Sequence, residues 1–236
     1  MAVIAIETSG LTGGVALWDK GGSSGEIIVG SKSTYSRRLM RSILFLLEET
    51  GVEWQALDTV AVSLGPGSFT GLRIGLATAK GLCLSTGASI IGVPTLDVLA
   101  QNGVFGPNGS LICPVIDARK GQIYCAIYST DSNWAKRITD YLVINPQELI
   151  NYAQGHERIF FLGSALSTYL DVIKDIYGDR AVIAPQYLWY PRPLLCAYLG
   201  KRLIDVNGPH DPLTLTPLYL RLSDAEEKKR ANEKAT

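Results

Sequence analysis

The sequence predicts an α/β protein of two related lobes, each a mixed β-sheet flanked by helices. Two observations carry this prediction. An order of three short strands followed by alternating helices and strands occurs twice along the 236 residues. Between the two copies, residues 102–110 (NGVFGPNGS) concentrate the glycine, asparagine and proline that are typical of turns and linkers. A chain of this length is long enough to give each lobe its own hydrophobic core.

The elements of the first copy are short apolar runs separated by turn residues, such as the glycines and serines at 21–25. Gly51 ends the long helix, as glycine commonly does. The predicted elements are strands at 2–6, 13–18 and 26–32, a helix at 34–50, a strand at 58–63, a helix at 70–84, a strand at 88–92 and a short helix from Pro94.

The second copy repeats the same order after the linker. Its predicted elements are strands at 111–116, 122–128 and 137–144, a helix at 146–153, a strand at 158–162, a helix at 164–176, a strand at 181–184 and a helix at 193–205. We therefore expect an N-terminal lobe at 1–101, a linker at 102–110, a C-terminal lobe at 111–222 and a flexible charged tail at 223–236.

Composition excludes several classes of protein. The 22 basic and 22 acidic side chains balance, whereas a general nucleic-acid binder needs an excess of positive charge. No apolar run reaches the ~18 residues that a membrane span requires. The four cysteines form no C-x-x-C pair and lie in apolar segments, which is typical of a reduced, cytoplasmic protein.

An acidic residue follows the first strand of each copy, Glu7 after AVIAI and Asp117 after CPVI. In a duplicated fold these two turns are expected to face one another across a cleft. The pattern resembles the superfamily of actin, sugar kinases and Hsp70, in which such turns handle the phosphates and metal of ATP. Here both turns, Glu7-Thr8-Ser9 and Asp117-Ala118-Arg119, lack the glycine that lets a backbone approach a phosphate. We therefore interpret Glu7, Thr8, Ser9 and Asp117 as a degraded phosphate site and expect no cofactor.

Residues 65–81 (GPGSFTGLRIGLATAKG) join a strand to a helix and allow two interpretations. The glycines could cradle a phosphate at the helix N-terminus. The spacing, however, is neither G-x-G-x-x-G nor a Walker motif. A tight turn in which Ser68 or Thr70 caps the helix is the favoured alternative.

The helices at 34–50 and 70–84 are more apolar than surface helices usually are. The apolar residues of the helix at 34–50 cover an arc of roughly 160° around the helix axis, whereas a single core-facing stripe needs only ~100°. Small residues recur every four positions in the second, at Gly71, Gly75 and Ala79, so that another backbone could approach closely. Both helices could pack on their own sheet, or they could dock on a second subunit. The candidate interface residues are Leu39, Met40, Ile43, Leu44, Leu47, Gly71, Arg73, Ile74, Gly75, Ala77 and Thr78.

Four motifs together resemble the TsaB (YeaZ) family, bacterial subunits needed to make threonylcarbamoyladenosine in tRNA. They are VIAIETS near the start, GPGSFTGLRIGLATAKGL from Gly65, DARKGQIYCAIY at 117–128 and PLYLRLSDAE at 217–226. The resemblance implies a two-lobed actin-like fold, a cytoplasmic location and a homodimer. It also implies a complex with the catalytic paralogue TsaD through the N-terminal helices, recruitment of the ATPase TsaE, and only indirect contact with tRNA.

The histidine content favours a non-catalytic role. Only His156 and His210 are present, and neither has a second histidine at a helical spacing, so a metal centre is not expected. Ser68 has no evident histidine partner for hydrolytic chemistry. Taken with the resemblance to the TsaB family, this implies a scaffold subunit that activates TsaD for threonylcarbamoyl transfer to adenosine 37 of tRNAs reading codons that begin with A. The alternative is an actin-like enzyme, either an ATPase or kinase, or an M22-type metallopeptidase.

Overall fold

The computed structural model describes residues 1–30, 35–131, 133–152 and 158–221. It contains two mixed β-sheets flanked by helices, which confirms the predicted fold class. The charged tail predicted at 223–236 lies outside the described residues.

The first sheet is built from the first 94 residues in the order β3-β2-β1-β4-β5. The first three strands pair antiparallel, and β4 and β5 continue the sheet parallel to β1. Every residue of β1 is buried, because helices cover both faces of the sheet at this strand. The strands are β1 (Ala2–Glu7), β2 (Thr12–Asp19), β3 (Ser24–Gly30), β4 (Leu57–Gly65) and β5 (Ser89–Pro94).

Two helices, α1 (Tyr35–Thr50) and α2 (Phe69–Thr86), pack side by side on one face of the first sheet. The short helix α3 (Thr95–Gln101) follows β5 and buries Leu96 and Leu99 against residues of the second sheet. Helix α3 therefore lies where the two lobes meet.

The second sheet has the order β10-β7-β6-β11-β12, and β8 and β9 extend from β6. Helix α4 (Leu166–Tyr177) and a 3₁₀ helix at Pro146–Tyr152 pack on it. The strands are β6 (Leu111–Arg119), β7 (Gln122–Cys125), β8 (Tyr128–Asp131), β9 (Trp134–Arg137), β10 (Leu142–Ile144), β11 (Ile159–Leu162) and β12 (Ala181–Ile183).

The strands predicted at 122–128 and 137–144 are each divided in two. Cys125 of β7 pairs with Leu142, whereas Tyr128 of β8 pairs with Arg137. At the bend between these pairs the backbone N–H of Ile127 donates to the side chain of Thr139 over 3.0 Å. A side-chain acceptor thus interrupts the ladder, which an apolar pattern alone does not indicate.

The last helix, α5 (Pro193–Asn207), packs on the first sheet and not on the second. The prediction that it completes the second lobe is therefore wrong. Its buried face is small, and a Cβ on Gly200 would lie only 2.6 Å from the Cβ of Ala61 on β4. In the segment that follows α5, Leu215 packs in the core of the first sheet. The backbone N–H of Leu218 donates to the carbonyl of Leu64 on β4 over 2.8 Å. The segment predicted as the C-terminal lobe, 111–222, is thus divided between the two sheets.

Within the described ranges, no helix is both long and apolar enough to cross a membrane.

Candidate functional site

A cleft of about 930 Å³ lies between the lobes. The turn after β1 lines it from one side and the hairpin after β6 from the other, so the two acidic turns border one cleft, as predicted. The residues around it include Ser9, Gly10, Gly67, Ser68, Asp117, Arg119, Tyr124, Ser164, Trp189, Tyr190 and Tyr219.

Glu7 is fully buried, and its carboxylate faces the backbone of the turn after β1. Oε1 accepts the backbone N–H of Ser9 over 2.7 Å. Oε2 is buried and has no hydrogen-bond partner among the described residues. Burial raises the pKa of Glu7 from 4.5 to about 7, against the opposing effect of the hydrogen bonds from Ser9 and Ser63. A carboxylate held in this way does not fit the metal ion that accompanies ATP, because such an ion binds accessible, ionised carboxylate oxygens.

The glycines of α2 and of the turn before it meet the chain's own turn after β1. A Cβ on Gly71 or on Gly75 would fall well inside 3.0 Å of Thr8, and one on Gly67 equally close to Ser9. The predicted close approach is therefore real, but the approaching backbone is that of the same chain.

The amides at the start of α2 are already used inside the protein. The N–H of Ser68 donates to the carbonyl of Ser9 over 2.6 Å, and the N–H of Gly71 donates to the hydroxyl of Ser68 over 3.2 Å. Ser68 is thus the helix cap, which confirms the favoured interpretation of this motif. The same bonds do not suit a phosphate cradle, which needs such N–H groups to point at the ligand.

The hairpin between β6 and β7 is organised by Asp117. Its Oδ1 accepts the N–H of Arg119 over 2.7 Å, and its Oδ2 lies 3.7 Å from the guanidinium of Arg119. Arg119, Lys120 and Gly121 have φ values of 65°, 53° and 78°, so three successive residues are left-handed. Asp117 therefore acts as the acceptor for a backbone amide of its own turn. Its carboxylate stabilises a conformation that only Gly121 adopts without strain.

The described residues hold no group of three histidine, cysteine or acidic side chains close enough to bind a metal ion. His210 is used structurally, because its Nδ1 accepts the N–H of Gly92 over 3.2 Å. His156 lies outside the described residues.

Five of the candidate interface residues are buried within the chain, and for these the interface prediction is wrong. On α1, the buried residues Leu39, Ile43 and Leu47 belong to the core above the first sheet. On α2, Gly71 and Gly75 pack on the turn after β1. The wide apolar arc of α1 therefore has two parts, one covered by the sheet and one exposed.

The exposed part of the two helices forms what we call the helical face. On α1 it includes Met40, Leu44 and Phe45, which are 41%, 50% and 53% exposed. On α2 it comprises exposed and half-buried residues along one side: Arg73, Ile74, Ala77, Thr78, Gly81 and Leu84.

Arg73 is held in place by two aromatic residues that sequence reasoning did not connect with it. Its guanidinium lies 3.8 Å from the ring centre of Phe69, and its Nε donates to the hydroxyl of Tyr219 over 3.1 Å. The rings of Phe69 and Tyr219 stack at 4.8 Å. Because Tyr219 is far away in the chain, no local pattern could have indicated this contact.

Sequence comparison gives consistent results along most of the chain. The family model for TsaD, tRNA N6-adenosine threonylcarbamoyltransferase, matches residues 30–201. The tRNA threonylcarbamoyladenosine biosynthesis protein TsaB of Bacillus subtilis is 35% identical over 231 residues, covering 97% of both chains. TsaB of Escherichia coli is 35% identical over 162 residues, covering 67% of this chain and 66% of its own.

The architecture has a close match among solved structures. YeaZ from Pseudomonas aeruginosa superimposes with a TM-score of 0.80 at 23% identity, over 93% of this chain and 99% of its own. A structural likeness at that identity supports the fold, whereas the identity to the curated relatives and their coverage decide the family. The chain belongs to the TsaB (YeaZ) family of tRNA threonylcarbamoyladenosine biosynthesis proteins.

Proposed function

We propose that this protein is a non-catalytic subunit, which binds and activates a TsaD-type catalytic subunit for threonylcarbamoyl transfer to adenosine 37 of tRNAs reading codons that begin with A. The observation that carries the proposal is the helical face. Its residues Met40, Leu44 and Phe45 are each about half exposed on a helix whose opposite side is fully packed. Exposed apolar side chains grouped on one face are typical of a protein interface.

The cleft supports the non-catalytic part of the proposal. The carboxylate that would serve a metal ion, that of Glu7, is buried and accepts the backbone N–H of Ser9. The amides that would hold phosphates at the start of α2 are used by Ser9 and Ser68. ATP and metal are accordingly assigned to the partner subunits.

The choice of partner rests on shared ancestry. The family model that matches this chain is that of TsaD, so a TsaD-type subunit is expected to have the same fold and an equivalent pair of helices. In a homodimer formed by two identical helical faces, a TsaD-type subunit can take the place of one copy. The homodimer and the complex with TsaD would then exclude one another. The ATPase TsaE would join the complex, tRNA would be contacted indirectly, and the assembly would act in the cytoplasm.

The proposal is tested by placing a charge on the helical face. Leu44→Glu should leave the fold intact, because the side chain is half exposed, and should weaken TsaD binding at least about tenfold by burying an unpaired charge. Val206→Glu on α5 is the matched control, since Val206 is an exposed apolar residue on another face.

Co-purification with a TsaD-type subunit and formation of the modified nucleoside in a reconstituted reaction are the two measurements. Normal binding and normal modification with Leu44→Glu would contradict the proposed surface. Formation of the product by this subunit without TsaD would contradict the non-catalytic role.

A further inference from the structure

Helix α3 is packed between the two lobes, of which the first is the first sheet with α1, α2 and α5, and the second is the second sheet with α4. β5 ends at Pro94 and α3 begins at Thr95, so the helix continues directly from the first sheet. Val98 is fully buried in the core that the first sheet forms with α5. Leu96 and Leu99 are fully buried in the core of the second lobe. The apolar packing of α3 thus reaches both lobes, and close-packed side chains transmit a movement of one lobe to the other.

Polar side chains of α3 attach the helix to the second lobe. The carboxylate of Asp97 accepts the hydroxyls of Tyr128 and Tyr141 over 2.6 and 2.9 Å. Gln101 bonds the backbone of Ala135 on β9 twice, because its Nε2 donates to the carbonyl over 3.3 Å and its Oε1 accepts the N–H over 3.2 Å. Since hydrogen bonds are directional, these four bonds fix the orientation of α3 relative to the second lobe as well as its distance.

The chain returns to the first lobe through residues 188–194, and the C-cap residue of α3, Asn102, holds the start of this crossing. Its Nδ2 donates to the carbonyl of Leu188 over 3.0 Å and to that of Tyr190 over 2.8 Å. Asn102 is buried, so breaking these bonds would leave a polar group without water. The first crossing, through α3, and the return crossing are therefore bonded to one another.

Glu26 of β3 holds the same crossing from the side of the first lobe. Its carboxylate accepts Nε of Arg192 over 3.0 Å, Nη2 of the same guanidinium, and the backbone N–H of Leu194 over 2.8 Å. Leu194 lies in the first turn of α5, so a carboxylate from a distant strand binds the positive end of this helix. Only 9% of the Glu26 side chain is exposed, and charge-assisted bonds of this kind are stronger than neutral ones.

Proline stiffens both crossings. Rotation of one lobe against the other requires a few positions that absorb large changes of φ and ψ. Proline, whose φ is fixed at about −65°, occupies position 94 in the first crossing and positions 191 and 193 in the return crossing. A further contact joins the lobes along α5, where the guanidinium of Arg202 lies 4.4 Å from the ring centre of Trp134 on β9.

We infer that these contacts form a lock, which fixes the orientation of the two lobes and keeps the cleft at one width. Lobes joined by a small polar interface ordinarily rotate against one another, whereas a buried apolar interface opposes rotation. Opening or closing the cleft would separate Val98 from the first core or break the bonds of Asp97, Gln101 and Asn102. The lock does not depend on the proposed function, since all its contacts lie within one chain.

Distances between spin labels across the cleft test the lock. Leu11→Cys and Thr168→Cys place one label on each lobe, at exposed residues that line the cleft. The native cysteines are buried, so the labels attach to the introduced ones. Leu11→Cys with Val206→Cys, at two exposed residues of the first lobe, gives the width of the distance distribution for a rigid pair. Dilution of the labelled chain with unlabelled chain restricts the measurement to distances within one molecule.

The double variant Glu26→Gln/Asn102→Ala releases the return crossing on both sides. It should broaden the distance distribution across the cleft at least about twofold, because both anchors are weakened. Glu26→Gln alone keeps the shape of the side chain and an acceptor for Leu194, so it should stay folded and broaden the distribution less. Glu53→Gln/Asn207→Ala, at exposed residues of the first lobe, is the matched control and should leave the width unchanged. Circular dichroism shows which variants are folded, and Glu26→Gln decides if the double variant is not.

A single distribution as narrow as that of the reference pair, unchanged by Mg-ATP and broadened in the variant that decides, would support the lock. A broad or two-peaked distribution across the wild-type cleft, or a shift of the distance when Mg-ATP is added, would show that the lobes move and would overturn it. Equal widths in the wild type and in every folded variant would also overturn it, since other contacts would then set the width of the cleft.

Discussion

The backbone N–H of Ser68 donates to the carbonyl of Ser9 over 2.6 Å, which ties the start of α2 to the turn after β1. The bond exists because glycines at 67, 71 and 75 let the helix lie directly against that turn. The start of α2 and the turn after β1 thus hydrogen-bond to one another. The glycine-rich motif that begins at Gly65 therefore has a structural role inside the first lobe.

Substituting Gly71 by alanine should therefore lower the stability of the protein. The new Cβ would collide with the carbonyl of Thr8, which is backbone and cannot move aside, so the free energy of unfolding should fall by about 1–3 kcal/mol or more. Gly81→Ala is the control on the same helix, since a Cβ there meets no atom within 4 Å. It should raise stability by about 0.5–1 kcal/mol, because alanine favours the helix. Urea denaturation of both variants measures the two changes in the free energy of unfolding. Equal changes would contradict the close packing of Gly71 on Thr8.

Glu7 should make the stability of the protein depend on pH. Its pKa is about 7 in the folded protein and ordinarily 4.5, so between these values the folded state holds a proton that the unfolded state has lost. The free energy of unfolding should therefore fall as pH rises from 4.5 to 7, by about 3 kcal/mol from this group.

Glu7→Gln removes that titration and keeps a side chain of the same shape. Compared with the wild type, it should show a smaller fall in stability between pH 5 and pH 8, measured by urea denaturation across that range. Parallel pH profiles for the two proteins would show that the buried carboxyl is not the cause.

Much of the fold could be predicted because apolar runs bounded by glycine and serine mark element ends directly. The bounds of α1, α2, α4 and α5 lie within about two residues of those predicted. What the pattern could not indicate is which sheet α5 covers. An apolar helix of small residues such as Cys196, Ala197 and Gly200 fits either sheet, and only the three-dimensional path of the chain decides.

The candidate site could also be predicted in part, because hydrophobic periodicity and glycine spacing are visible in the sequence. Periodicity identified an apolar arc on α1 too wide for one sheet, but it could not separate Ile43, which is fully buried, from Leu44, which is half exposed. The glycine spacing on α2 predicted a close backbone neighbour and not its identity. The neighbour is Thr8, which is more than 60 residues away along the chain.

Asp117→Ala should lower stability by about 1–2 kcal/mol through the loss of one turn hydrogen bond. The hairpin holds Arg119 and Lys120 in left-handed conformations, so the loss of its internal acceptor should loosen it. Binding to TsaD should be unchanged, because the hairpin borders the cleft and not the helical face. Thermal melting and co-purification separate the two effects. Normal stability with lost TsaD-dependent activity would make the hairpin functional.

Asp97 on α3 should contribute strongly to the packing of the lobes. Its two carboxylate oxygens accept the hydroxyls of Tyr128 and Tyr141 over 2.6 and 2.9 Å, and both tyrosines belong to the second lobe. Asp97→Ala would leave two hydroxyls unpaired, one of them fully buried at Tyr128, and should cost at least about 2 kcal/mol. Tyr141→Phe removes one bond and should cost about 1 kcal/mol. Equal costs for the two variants, measured by urea denaturation, would contradict a shared acceptor.

Two neighbouring residues of α1, Ile43 and Leu44, should respond in opposite ways to the same substitution. Ile43 is 0% exposed and packs in the core above the first sheet, so Ile43→Glu buries an unpaired carboxylate and should prevent stable folding. Leu44 is 50% exposed, and Leu44→Glu places the same carboxylate in solvent at little cost to folding. Leu44→Glu should therefore weaken association with a partner that covers the helical face, and should leave folding almost unchanged. Circular dichroism and thermal melting should report a folded Leu44→Glu and a disrupted Ile43→Glu, while sedimentation should report a monomer for Leu44→Glu. A Leu44→Glu variant that melts as low as Ile43→Glu would show that both residues belong to the core, and the helical face would then begin elsewhere on α1.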